Sequence, residues 1–171
     1  MQDQQTLTSG SMDTVDADFS IGNNVIGNVS VARPTFAENV VEFNRRVLKI
    51  DQRPIGMLNR SEFDISTKCL KEEMDEFIEA YDKGDIIGMI DAITDMKYFG
   101  DGVLYKMGLT PETIDAVGQA VHDANMEKKL GVNARRGDGS AADAVKPEGW
   151  VPPEHRIAHL IDQQQVGGVS E

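Results

Sequence analysis

The sequence predicts an all-α protein, built as an antiparallel four-helix bundle with a C-terminal arm. Four segments between residues 33 and 131 carry apolar residues at helical spacing, and Gly, Pro and capping residues separate them. Strand-like character is confined to a short stretch within the first 32 residues. The chain therefore divides into a flexible extension at 1–32, a helical domain at 33–131, and an arm with a tail at 132–171.

The first two helices are predicted from their apolar stripes. A proline at position 34 precedes the first stripe, which begins at Phe36 and continues to about Lys49. A loop rich in turn residues follows. The next helix carries the acidic residues of the chain's centre, and the hydroxyl of Ser61 or Ser66 is predicted to cap it.

Glycines and caps define the next two helices. Gly84 is predicted to end the acidic helix in a left-handed conformation, and Asp85 to cap the third helix, so that the two form a tight hairpin. Gly108 closes the third helix, and Thr110 with Pro111 begins the fourth, which is predicted to reach Gly131. The arm is predicted to contain one short helix, at 153–164.

Composition limits the possible partners and compartments. The 171 residues include 17 basic and 29 acidic side chains, a net charge of −12 that opposes binding to nucleic acid polymers or anionic membranes. Cys69 is the only cysteine, which excludes an intrachain disulfide. No apolar run is long enough to span a bilayer, and the polar start lacks the features of a signal peptide. These features predict a soluble cytoplasmic protein.

Two carboxylate clusters lie on consecutive predicted helices. Like charges three and four residues apart destabilise a helix by about 0.2 to 0.5 kcal/mol per pair, and cations would relieve that repulsion. Carboxylate oxygens are the ligands that Mg²⁺ and Mn²⁺ prefer. The predicted metal ligands are Glu72, Glu73, Glu76, Asp91 and Asp95.

The second cluster lies in an unusually apolar helix. Asp91 and Asp95 are one turn apart among isoleucines that point in nearly every direction, as in a helix packed on most sides. A buried carboxylate needs a hydrogen-bond donor, a basic side chain or a metal. The alternatives to a metal site are a solvated acidic face and a structural ion-pair network. The basic residues available for such a network are Lys83, Lys97, Arg45 and Arg46.

Four motifs in order resemble those of the MazG-like all-α nucleoside triphosphate pyrophosphohydrolases, which include dimeric dUTPases and phosphoribosyl-ATP pyrophosphohydrolases. They are EEMDE at 72–76, DAITDMKYFGDGVLYKMGL from Asp91, VHDANMEK from Val121, and KPEGW from Lys146. The resemblance covers about residues 36–153. It implies hydrolysis of a (d)NTP to the monophosphate and pyrophosphate, with a metal-activated water attacking the α-phosphorus.

The resemblance also implies roles for individual residues. Glu73, Glu76 and Asp95 match the family's acidic motifs and would serve in catalysis with Mg²⁺ or Mn²⁺. The second motif departs from the family's ExxD, because Ala92 stands where the family has glutamate, and Asp91 is its proposed substitute. The predicted substrate-binding residues are His122, Asn125, Lys128, Arg135, Arg136 and Lys146.

The resemblance further implies a homodimer or homotetramer that binds a nucleoside triphosphate. The alternative function is a catalytically inactive helical module that uses the acidic face for docking, which the missing ExxD glutamate favours. The His122-Asp123 dipeptide lacks the upstream histidines of a metal-dependent HD phosphohydrolase, and His155 and His159 lack the glutamate of HExxH. We therefore interpret those two histidines as exposed residues of the tail.

Overall fold

The computed structural model describes residues 33–132 and 143–167. Helices dominate them, which confirms the all-α prediction, and one short antiparallel strand pair accompanies the helices. The elements in chain order are α1 (Phe36–Arg46), α2 (Arg60–Lys83), α3 (Ile86–Lys106), α4 (Pro111–Met126), β1 (Lys129–Gly131), β2 (Asp143–Val145) and α5 (Glu154–Gly167). The extension at 1–32 lies outside the described residues, so the predicted domain boundary stays a prediction.

The first two helices begin with the same kind of cap. Thr35 and Glu38 form a capping box at α1, and Asn59 and Glu62 form one at α2. The predicted caps of α2, Ser61 and Ser66, are therefore wrong. The asparagine with a glutamate three residues later satisfies two backbone amides reciprocally, and this starts α2 upstream of both serines.

The hairpin between α2 and α3 forms as predicted. Gly84 adopts φ 68°, a left-handed conformation that glycine enters without steric cost, and the Asp85 carboxylate accepts hydrogen bonds from the amides of Ile87 and Gly88. These two helices make the most extensive contact between elements in the described part of the chain. The hairpin therefore sets the spacing between the two acidic motifs.

The hydrophobic core lies where α1 meets the α3–α4 turn. Tyr105 and Leu109 are buried there against Ala37, Val41 and Ile114. Two side chains hold this turn in place, because the side-chain amides of Gln52 and Gln164 donate hydrogen bonds to the Gly108 carbonyl at 2.7 and 2.8 Å. The end of α5 is thus held against the bundle.

The fourth helix is shorter than predicted. It begins at Pro111 with Thr110 as its N-cap, as expected, but it ends at Met126 instead of Gly131. The next residues form β1, which pairs with β2 of the arm so that Leu130 lies opposite Ala144. The prediction was wrong because this pairing partner lies farther along the chain, where local periodicity carries no signal of it.

The first half of α3 is not packed on most sides by the described residues, contrary to prediction. Ile86, Ile87, Ile90 and Ile93 are all exposed, and the buried residues of the helix are Ala92, Gly102 and Tyr105. Packing among residues 33–132 and 143–167 therefore does not account for the apolar character of this half. No described helix is long and apolar enough to cross a membrane.

Candidate functional site

The α2–α3 hairpin brings the two acidic motifs together. Glu72, Glu73 and Glu76 lie in the middle of α2, and Asp91 and Asp95 lie one turn apart in the first half of α3. Because the helices are antiparallel neighbours joined at Gly84, residues at similar distances from that turn face one another.

Glu73 is the centre of this group. It is half-buried, and its Oε2 atom is shielded from solvent without a hydrogen-bond partner. Burial raises the pKa of Glu73, and the nearby negative charges of other carboxylates raise it further. In decreasing order of effect these are Glu76, Asp95, Asp91 and Glu72. All five predicted ligands therefore share one electrostatic environment.

The neighbouring basic residues do not neutralise this centre. Lys83, Lys97 and Arg46 form ion pairs with carboxylates four residues away on their own helices, Glu79, Asp101 and Glu42. Lys68 approaches Glu72 at 3.5 Å on the exposed side of α2. Among the described residues, no basic side chain contributes to the pKa shift of Glu73. The described basic residues therefore do not form the alternative ion-pair network with Asp91 and Asp95.

The departure at Ala92 has a structural context. Ala92 is only 2% exposed, whereas Asp91 beside it is exposed and Asp95 half-buried. A glutamate at position 92 would have to place a longer, charged side chain where the alanine methyl is packed. Asp91 instead has an exposed carboxylate, outside the contact between the helices, and its charge is close enough to raise the pKa of Glu73.

The donor chemistry of the group fits a divalent cation. Every member is a carboxylate, their charges add without a basic partner at the centre, and the Glu73 Oε2 atom is buried and unsatisfied. Among residues 33–132 and 143–167, no group of three or more Asp, Glu, His or Cys side chains is already arranged closely enough to hold a metal ion. Binding would therefore require these side chains to draw together, and the metal site stays a prediction.

A second polar group lies at the end of α4. Lys128 follows the helix, not within it as predicted, and its ammonium donates to Asn125 Oδ1 at 2.7 Å. Lys146 of the arm approaches the same aromatic ring as Lys128, since the two ammonium groups lie 4.3 and 5.6 Å from the ring centroid of Trp150. Neither lysine acts on Glu73, so the structure forms two separate groups of predicted site residues.

The remaining predicted residues are less informative. His122 is exposed on α4, and Arg135 and Arg136 lie outside the described residues. His155 and His159 are exposed on α5, as interpreted from the sequence. The sequence analysis did not include Trp150 among the predicted site residues, although it is the only tryptophan of the chain and directly follows a Pro-Glu-Gly sequence.

Comparisons with known proteins identify a family for the helical part of the chain. The model of the phosphoribosyl-ATP pyrophosphohydrolase family matches residues 40–125, just over half of the chain. This match spans α2 and α3, all of α4 but its last residue, and the part of α1 from Val40 onward, and so contains both acidic motifs. A search of curated proteins found no match.

Proposed function

The chain belongs to the phosphoribosyl-ATP pyrophosphohydrolase family, and on that premise we propose that it hydrolyses a nucleoside triphosphate to the monophosphate and pyrophosphate. The family match indicates a pyrophosphohydrolase acting on nucleotides. The observation that carries the finer proposal is Glu73, a shielded carboxylate that faces four others without a compensating cation in the described part of the chain.

The carboxylates would hold Mg²⁺ or Mn²⁺ together with the triphosphate. Glu72, Glu73, Glu76, Asp91 and Asp95 supply the oxygen ligands that these ions prefer. The bound cation would activate water and neutralise the charge that develops on the phosphate oxygens. Without it, a polyanionic substrate would meet a protein of net charge −12 at its most acidic face.

Glu73 is suited to manage the proton of the attacking water. When the water oxygen bonds to the α-phosphorus, the bond from that phosphorus to the bridging oxygen breaks and pyrophosphate leaves. The proton released by the water needs an acceptor, and the Glu73 Oε2 atom, which has no hydrogen-bond partner in the described part of the chain, would accept it. Glu76 and Asp95 would position the reacting groups beside it.

The substrate would be held at the phosphate end by basic residues from outside the acidic cluster. Lys128 and Lys146 have no carboxylate partner among the described residues, so their charges are free to pair with phosphate oxygens. Asn125, which accepts from Lys128, has an amide that can hydrogen-bond to the sugar or base. His122, Arg135 and Arg136 remain candidates for the same task.

Exposed isoleucines support a proposal that the protein is a homodimer or homotetramer. Ile86, Ile90 and Ile93 recur at spacings of four and three on α3, and Ile87 beside them is 71% exposed. A similar exposed stripe, Met74, Ile78 and Tyr81, lies on α2 next to the same turn. Monomeric proteins rarely leave an apolar patch of this kind uncovered. Ultracentrifugation of wild type and of Ile90→Asp tests this, and a monomeric wild type would contradict it.

The activity is tested by pyrophosphate release from a panel of NTPs and dNTPs, with and without Mg²⁺ or Mn²⁺. We expect metal-dependent release of one pyrophosphate per monophosphate formed, and a metal-dependent rise in the Tm of the free protein, because a ligand that binds only the folded state stabilises it. Absence of turnover together with no change of Tm at millimolar metal would overturn the proposal and favour an inactive docking module.

A further inference from the structure

The arm places its tryptophan against the end of α4. The indole Nε1 of Trp150 donates to the Ala124 carbonyl at 2.8 Å, and the backbone amide of Trp150 donates to the Pro147 carbonyl at 3.1 Å. Within the turn that this second bond closes, Gly149 has φ 74°, a conformation that glycine adopts without strain. The segment from Lys146 to Trp150 is thus built to hold the ring in one place.

Two ammonium groups lie over this ring. The Nζ atom of Lys146 is 4.3 Å from the ring centroid and that of Lys128 is 5.6 Å from it. One lysine comes from the arm and the other from the end of α4, so two parts of the chain converge on one aromatic ring. Neither forms an ion pair with a carboxylate of the described chain, in contrast to Lys68, Lys83 and Lys97.

An aromatic ring beside two ammonium groups that have no ion-pair partner among the described residues matches the two halves of a nucleotide. A base stacks on an aromatic ring, and ammonium groups pair with phosphate oxygens. Indole has a single hydrogen-bond donor, and in Trp150 the Ala124 carbonyl already accepts it. The ring therefore offers only its face, which favours stacking with any base over recognition of one base's edge.

We propose that Trp150 is the surface on which the nucleobase of the substrate stacks, while Lys128 and Lys146 turn from the ring to the phosphates. The nature of this ligand rests on the function proposed above. Base stacking on the indole would replace the contact that the ammonium groups make with the ring of the free protein. Trp150 is then a substrate-binding residue and not only the anchor of the arm.

Fluorescence tests this directly, because Trp150 is the only tryptophan of the chain. The probes are an α,β-imido deoxynucleoside triphosphate, which resists hydrolysis at the reactive bond, and inorganic tripolyphosphate, which carries the phosphates without a base. We expect saturable quenching by the nucleotide and a much smaller change with tripolyphosphate, both in the presence of Mg²⁺. Equal responses to the two probes, or no response to the nucleotide, would overturn the inference.

Two substitutions separate stacking from anchoring. Trp150→Phe and Trp150→Leu both lose the bond to Ala124, so both should lower Tm, but only phenylalanine keeps an aromatic face. By calorimetry with the imido nucleotide, we expect Trp150→Leu to weaken binding roughly ten- to hundredfold and Trp150→Phe to keep most of the affinity. Equal losses in the two variants would assign the ring to anchoring alone.

Arg60→Ala is a matched control for the loss of a cation beside an aromatic ring. Its guanidinium lies 5.9 Å from the ring centroid of Phe63 at the start of α2, about 20 Å along the helix from Glu73. It should leave nucleotide affinity unchanged, whereas Lys146→Ala should reduce it. Pyrophosphate release without quenching would refute the stacking role but not the activity, and quenching without release would do the reverse.

Discussion

Replacing Glu73 by glutamine should abolish turnover and stabilise the metal-free protein. The substitution keeps the size of the side chain and removes one of five clustered charges. A like-charged neighbour one helical turn away costs about 0.2 to 0.5 kcal/mol. With the same range taken for the two aspartates across the hairpin, relief from Glu76, Asp91 and Asp95 amounts to about 0.6 to 1.5 kcal/mol. For a chain of 171 residues this corresponds to a rise in Tm of roughly 1 to 6 °C.

The pH dependence of this effect has a definite sign. The pKa of Glu73 is higher in the folded state than the usual value of about 4.3 for a free glutamate, because the carboxyl is buried beside other carboxylates. Its protonated form is therefore favoured by folding, and the associated stability is present below about pH 4.3 and lost as pH rises through the folded pKa. The difference in Tm between Glu73→Gln and wild type should be small at acid pH and reach its full value near neutral pH.

Thermal unfolding across pH, without metal and then with Mg²⁺ or Mn²⁺, measures these differences. Glu79→Gln is the matched control. Glu79 lies on the same helix, but its carboxylate accepts a hydrogen bond from Lys83 in an ion pair, and this contact lowers the pKa of Glu79. That variant should be slightly less stable and fully active. A Glu73→Gln protein that retains near-wild-type turnover, or whose Tm falls at neutral pH, would refute the reasoning.

Three further substitutions test the site and the fold. Asp91→Asn should weaken the apparent affinity for Mn²⁺ by about tenfold or more, measured by metal-dependent pyrophosphate release, and unchanged affinity would show that Asp91 is no ligand. Ala92→Glu, which restores the family spacing, should lower Tm because the alanine is 2% exposed; an unchanged Tm would contradict that packing. Gly108→Ala should cost roughly 1 to 3 kcal/mol, because φ is 99° and the new Cβ would lie 2.6 Å from the Pro54 carbonyl oxygen. Its control, Gly118→Ala, meets no neighbouring atom within 4 Å and should be neutral or stabilising; similar Tm losses in both glycine variants would refute the steric argument.

Local chemistry let the sequence by itself determine the end of α2, the starts of α3 and α4, and the pairing of the acidic motifs. A glycine such as Gly84 ends a helix through its own conformational freedom. Asp85, Thr110 and Pro111 act within a single helical turn, so their effects can be predicted without knowledge of the fold. The carboxylate spacing on α2 and α3 is equally local. The tight hairpin then leaves one arrangement for the two motifs.

Only the tertiary structure decided which carboxylate is shielded, where α4 ends and what the arm contacts. The burial of Glu73 depends on the contact between two helices, and the end of α4 depends on pairing with β2 far along the chain. Asn59 caps α2 in place of the serines because Glu62 completes the reciprocal hydrogen bonds of a capping box. Residue type alone does not distinguish among these three candidate caps. The contacts of Trp150 with Ala124 and two lysines became visible only in the structure, since contacts between distant segments leave no periodic trace in sequence.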